Sequence, residues 1–223
     1  MSALVELTAA ELAAGEEALF AGIARDLRER GFAVCPNALP APLTGGLQGH
    51  LAQMNRERFT RAGVGRQDAH TLNDFVRTDE ICWINGESEA GRAWLEWTAR
   101  LQQFLNRELL LGLFSFESHF ALYRPGDFYR KHWDAFRGEA NRVLSLVVYL
   151  NPDWQLADGG ELVLYTDPDA GTSLKVLPGL GTMALFLSEE FPHEVLPARR
   201  DRYTIAGWYR VNQSTAARID PPR

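Results

Sequence analysis

At 223 residues the chain is long enough to bury a sizeable core within one domain. A hydrophobic fraction of 46% with 23% charged residues is that of an ordinary globular protein, and a formal net charge of -6 makes nucleic acid a poor default partner, because an acidic surface repels phosphates. No apolar run approaches the roughly 20 residues that span a bilayer, Met1-Ser2-Ala3-Leu4-Val5-Glu6 lacks the basic start of a signal peptide, and Cys35 and Cys82 have no nearby cysteine partner. These features predict a soluble, cytoplasmic protein in a reducing compartment, with no membrane partner and a monomer as the default state.

The N-terminal third reads as helical. Ala14 to Arg30 is rich in Ala, Leu, Glu and Arg, with Leu19, Ile23 and Leu27 on one face, and Gly31 follows Arg25, Arg28 and Arg30 as a C-terminal signal. Phe32 to Cys35 is a short strand. Pro40 to Phe59 predicts a second helix through Leu43, Leu47, Leu51 and Met54, and Arg61 to Asn73 a loop leading to a strand over Glu80 to Asn85. Glu87 to Leu109 carries Trp94, Trp97, Leu101 and Leu105 along one side and predicts the longest helix.

Short strands then follow one another: His119 to Arg124, Phe128 to Asp134, Arg142 to Leu150, Glu161 to Thr166, Thr182 to Leu187, Phe191 to Leu196 and Arg202 to Arg210. Turns at Pro125-Gly126-Asp127, Arg137-Gly138, Asp158-Gly159-Gly160, Pro178-Gly179 and Pro197 separate them. The gaps are too short for crossover helices, which excludes a parallel α/β sheet. The expected fold is α+β with a mainly β core, a double-stranded β-helix (jelly roll) with supporting N-terminal helices. We read residues 1–223 as one domain, with 1–110 giving helical support and a substrate loop and 115–212 the jelly-roll core.

His132-Trp133-Asp134 lies at the end of a predicted strand, where alternation turns His132 and Asp134 to one face and Trp133 to the other. His193, from a later strand, would complete a two-His-one-carboxylate face with open coordination positions, the pattern of oxygen-activating iron(II) sites. One His and one Asp at this spacing are weak evidence alone. Arg202 sharpens the case, because a guanidinium on the strand after His193 could grip a carboxylate bidentately. An organic acid that chelates the metal at one end needs such an anchor at the other. Zinc can take the same ligands, but zinc hydrolysis gives no reason for an inward arginine at this place.

With these residues the chain resembles the iron(II)- and 2-oxoglutarate-dependent dioxygenases, closest to the prolyl-hydroxylase branch with the animal hypoxia-sensing enzymes and bacterial relatives. The resemblance runs from about Gly31 to Arg210. It rests on Tyr123-Arg124-Pro125-Gly126, Tyr129 to Asp134, Val148 to Trp154, Gly159-Gly160-Glu161-Leu162, and Pro192 to Val195 with Arg202-Tyr203 and Trp208-Tyr209, all in family order. It implies His132, Asp134 and His193 as Fe(II) ligands, with 2-oxoglutarate and O2 as cosubstrates and ascorbate as a candidate reductant. Arg202 and Tyr149 would hold the far carboxylate of 2-oxoglutarate, Tyr123 would line the pocket and Trp208 would face the substrate entrance. The carboxylate at Asp134 implies hydroxylation in place of halogenation.

Val76 to Ile84 resembles the branch's element that folds over a bound peptide, which implies substrate contacts for Arg77, Asp79 and Trp83 and a closing pair between Asp79 and Arg142. The implied activity is hydroxylation of a prolyl residue in a protein, with elongation factor Tu as a candidate and succinate and carbon dioxide as coproducts. The alternative is hydroxylation of free proline or another small metabolite. The flap element argues for a protein, since a small ligand needs none.

Overall fold

In the computed structural model, residues 9–63, 76–135, 141–167 and 170–214 are described. Helix α1 spans Ala9–Arg30 and ends where Gly31, at φ 77°, turns the chain into β1, Phe32–Cys35. Glycine adopts this left-handed geometry without a Cβ penalty. Helix α2 spans Ala41–Gln53, shorter than the Pro40-to-Phe59 helix expected. Asn55 stops it: its side chain accepts from the Glu57 backbone N–H at 3.1 Å and opens a separate 3₁₀ turn over Arg56–Arg58. Strands β2, Thr60–Arg61, and β3, Glu80–Trp83, follow. The loop expected over Arg61 to Asn73 falls, from residue 64 on, outside the described residues, as does the Arg137-Gly138 turn.

Helix α3, Glu89–Leu109, is capped by Ser88, whose hydroxyl accepts from the Gly91 N–H at 3.0 Å. It buries Trp94, Trp97, Leu101 and Leu105, and each such large apolar side chain contributes about 1.5–3 kcal/mol. Truncating Trp94 would remove both its packing and the hydrogen bond from its indole to Ser118 Oγ at 3.1 Å.

The remaining strands are β4 (Leu113–Tyr123), β5 (Tyr129–His132), β6 (Arg142–Tyr149), β7 (Leu162–Asp167), β8 (Thr172–Val176), β9 (Met183–Leu187), β10 (His193–Val195) and β11 (Arg202–Val211). They form two antiparallel sheets, β1-β9-β6-β11-β4-β3-β2 and β5-β10-β7-β8, in agreement with the jelly-roll expectation. The N-terminal third thus supplies strands β1, β2 and β3 to the larger sheet in addition to its helices. Strand β8 was not foreseen: four of its residues are exposed, so it carries no apolar alternation.

Period-two alternation divides the larger sheet into two faces. Leu144 and Val148 of β6, Phe120 and Leu122 of β4, and Ile205 and Tyr209 of β11 join the helices in one core. The opposite face, with Tyr149 of β6 and Ala121 and Tyr123 of β4, meets Leu162 and Leu164 of β7 and Val195 of β10 in a second core between the sheets. The cleft described next opens at one end of that second core.

Candidate active site

Strands β10 and β5 pair so that His193 lies directly across from His132. Asp134 follows two residues later, and the three side chains bring their ligand atoms within 4.8 Å of one another. His132 Nε2 is 3.6 Å from Asp134 Oδ1, and His193 Nε2 is 3.5 Å from Oδ2. The other ring nitrogens are committed. His132 Nδ1 donates to the Arg130 carbonyl at 2.8 Å and His193 Nδ1 to the Phe191 carbonyl at 3.1 Å. Both tautomers therefore turn an unprotonated Nε2 toward Asp134.

Electrostatics favours the same ligand forms. Burial, reinforced by the nearby His132, lowers the His193 pKa to about 4 and keeps that imidazole neutral. Burial by itself would raise Asp134. The two imidazoles and the Ser145 hydroxyl, which donates to Oδ2 at 2.6 Å, outweigh it and hold the carboxyl well below its usual range. Tyr129 stacks on His132 with ring centroids 3.5 Å apart, which fixes the ring plane. Two imidazoles that turn Nε2 inward and one ionised carboxylate, supported by these second contacts, are a donor set that fits Fe(II).

The far end of the cleft is built around Arg202, which is 1% exposed. Its Nε donates to the Gly160 carbonyl at 2.8 Å and one Nη to Thr204 Oγ1 at 2.8 Å. The second Nη has no partner, nor has the buried hydroxyl of Tyr149. Among the described residues no carboxylate pairs with Arg202. An unneutralised buried guanidinium beside an orphan hydroxyl is costly unless an anion completes it. Burial pushes the Tyr149 phenol up to about 12, against the pull of Arg202, so it stays a donor. The donors fit one carboxylate of 2-oxoglutarate.

Neighbouring motifs hold this anchor in place. Gly160 has φ 72°, and a Cβ there would meet Ala198 Cβ at 2.9 Å and Arg202 Cδ at 3.1 Å. Asn151 donates to the carbonyls of Pro178 and Tyr203 and accepts from the Tyr203 N–H at 2.7 Å, pinning the chain beside Arg202. The Trp154 indole donates to the Gly159 carbonyl at 2.9 Å. Tyr123 lies under the Arg202 guanidinium, with Cζ 4.8 Å from its ring centre.

The cleft joining the two ends holds about 510 Å³ of empty space, its open mouth included. Arg77, His119 and Trp208 also line it. Trp83 is 53% exposed and meets His119 edge-on at 5.2 Å.

The closing pair expected between Asp79 and Arg142 is not made in this structure. Asp79, fully buried, takes a two-pronged grip from Arg77 at 2.7 and 2.6 Å. The hydrogen bonds of that grip, working against burial, raise the Arg77 pKa above its ordinary value. Arg142 instead binds Glu117 at 2.8 Å and lies 3.7 Å over the Trp208 ring. Each charge already has a nearer partner of opposite sign, and the resemblance alone did not reveal Glu117.

Comparison with known proteins accords with this geometry. A family profile described as 2OG-Fe(II) oxygenase superfamily matches residues 118–210. The crystal structure of a Pseudomonas putida prolyl-4-hydroxylase is 39% identical, with a TM-score of 0.77 over 86% of this chain and 98% of that one. The chain belongs to the 2OG-Fe(II) oxygenase superfamily. Its likenesses at 27% identity or more include prolyl hydroxylases of bacterial and animal origin. A Trichoplax adhaerens prolyl hydroxylase, solved in complex with a hypoxia inducible factor oxygen degradation domain peptide fragment, is 27% identical with a TM-score of 0.78, covering 92% of this chain and 94% of that one. A hypoxia-inducible factor prolyl hydroxylase of Caenorhabditis elegans is 33% identical over 148 residues, 60% of this chain. The match spans only 20% of that relative's length.

Ser145, Tyr129, His119 and Glu117 of this oxygenase were missed by sequence reasoning. Strand alternation could have placed Ser145 on the face of Tyr149, and His119 on the face of Tyr123. The Glu117 contacts depend on the register between β4 and β6 through β11, which no local pattern encodes.

Proposed function

We propose that this protein hydroxylates a prolyl residue of a protein substrate, consuming O2 and 2-oxoglutarate and releasing succinate and carbon dioxide. The observation that carries the reading is the buried Arg202, without a carboxylate partner among the described residues, facing His132, Asp134 and His193 across one cleft. A metal triad alone would fit several chemistries; an anion socket opposite it asks for a chelating diacid.

His132, Asp134 and His193 would hold iron(II), which when bound supplies oxygen activation for C–H hydroxylation. The chain's own groups handle the rest. Arg202 and Tyr149 would receive the remote carboxylate and fix the direction in which the cosubstrate lies. Ser145 keeps Asp134 ionised and oriented. The apolar lining of Ala121, Leu162 and Val195 keeps the reacting region poor in water.

A polypeptide substrate is favoured by the peptide held by the Trichoplax relative and by the exposed Trp83, which packs against the cleft residue His119. Elongation factor Tu, suggested by resemblance to bacterial relatives, is the first protein to test. The free cysteines Cys35 and Cys82 suit a reducing cytoplasm, and no helix among the described residues is long and apolar enough to cross a membrane.

The test is anaerobic loading with Fe(II), then addition of O2, 2-oxoglutarate and either elongation factor Tu, prolyl peptides or free proline, with and without ascorbate. Mass spectrometry follows succinate and products heavier by one oxygen. Peptide or protein hydroxylation that is lost in His132→Ala and Arg202→Ala supports the reading. Turnover of free proline alone moves the assignment to small-molecule metabolism, and no succinate under any condition overturns it.

A further inference from the structure

One buried titratable group in the cleft has no part in holding metal or cosubstrate. His119 is 3% exposed and lies on β4 in the alternation of Ala121 and Tyr123, so it faces the cleft with them. Its ring sits between two tryptophans, 5.2 Å from Trp83 and 5.5 Å from Trp208. It is paired across the sheet with Trp83 on β3 and Ala206 on β11.

The hydrogen-bonding state of this imidazole is settled by its neighbours. Nδ1 is 3.2 Å from the Phe120 carbonyl, which can only accept, so Nδ1 carries the proton. Burial, with Arg77 and Arg142 nearby, lowers the pKa to about 4 against the opposing pull of Asp79, so the ring is neutral. Nε2 is then an acceptor, on a ring that lines the cleft. Beside it, the Nε1–H of Trp208 is buried and without a partner. An acceptor and an unpaired donor on adjacent rings are complementary to one residue of an extended chain, whose N–H and C=O point to the same side. Buried polar atoms are rarely left unsatisfied in the working state of a protein.

We propose that His119 and Trp208 form a reader of the substrate backbone: His119 Nε2 accepts from a substrate amide N–H, and Trp208 Nε1–H donates to a substrate carbonyl. The inference rests on the protein-hydroxylase reading and deepens it. A prolyl residue has no amide N–H of its own, so the donor belongs to a neighbouring residue. The pair therefore selects a polypeptide over the free amino acid.

The experiment uses a prolyl peptide that the wild type hydroxylates, together with analogues in which each flanking amide is replaced in turn by an ester, which removes one N–H. In the wild type, one ester position should raise the peptide KM about tenfold, the size expected when a buried acceptor loses its donor. In His119→Leu, the KM for the all-amide peptide should rise by a similar factor and that ester should cause no further loss. His119→Gln, which restores an acceptor oxygen, should recover part of it. Trp208→Phe, which keeps an aromatic ring without the N–H, should raise peptide KM with little change in the KM for 2-oxoglutarate. Peptide affinity measured by anaerobic calorimetry should follow the same order without turnover, and melting temperatures separate misfolding from lost contacts. Equal KM values for all ester analogues, or an ester penalty undiminished in His119→Leu, overturn this assignment and leave the hydroxylase reading standing. Turnover of free proline but of no peptide overturns both.

Discussion

Two arginines, one buried and one largely so, line the same cleft and teach opposite lessons. Arg77 gives both prongs of its guanidinium to Asp79, and the pair neutralises itself inside the protein. Arg202, at the far end, spends its bonds on a carbonyl and a hydroxyl and keeps one Nη without a partner. A buried charge that carries its own counter-ion is part of the fold. A buried charge that lacks one is a place prepared for a ligand.

The largest effect should come from breaking the self-sufficient pair. Arg77→Leu leaves Asp79 as an unpaired buried carboxylate and should cost about 3–5 kcal/mol, read by urea denaturation. Arg202→Leu removes a charge that the fold does not neutralise, so stability should change by less than about 1 kcal/mol, or rise. The same substitution should raise the KM for 2-oxoglutarate by about 100-fold, the weight of a lost charge-assisted anchor. Arg202→Leu that unfolds the protein, or Arg77→Leu that leaves it unmoved, breaks the comparison.

A smaller effect follows from His119, whose charged neighbours are Arg77, Asp79 and Arg142. Its folded pKa of about 4 lies below the unfolded value near 6.5. The unfolded state therefore binds the proton more readily, and the contribution is full above pH 6.5 and lost as pH falls toward 4. At pH 5 the loss should be about 2 kcal/mol relative to pH 7. Denaturation of His119→Leu should show a shallower decline over that window by this amount. The smallest effect is expected at the part-buried Glu117: Glu117→Gln weakens its pairs with Arg142 and Arg210 and should alter stability by about 1 kcal/mol.

Much of the fold could be read because alternation and helical spacing are local. Phe32 to Cys35, the Trp94-to-Leu105 stripe and the start of β11 at Arg202 follow from side chains a few residues apart. The same alternation put His132 and Asp134 on one face. Strand β8 escaped because its exposed residues carry no apolar rhythm, and α2 ended early because Asn55 turned its side chain back on the chain. Partner choice was harder still. That Arg142 rests on Glu117 and Trp208, and that His119 sits between two tryptophans, depends on which strands become neighbours.

Strand β11 is hydrogen-bonded along both edges, to β4 and to β6, and carries Arg202, Thr204 and Trp208 toward the cleft. It cannot slide by one residue without turning every one of these side chains to the opposite face. The interval from Arg202 to Trp208 is thus fixed at roughly 20 Å of extended chain, at ~3.4 Å per residue. The strand acts as a gauge: whatever lies between them, the anchoring guanidinium and the tryptophan at the substrate side keep one separation, so the two binding events are held in register by the sheet itself.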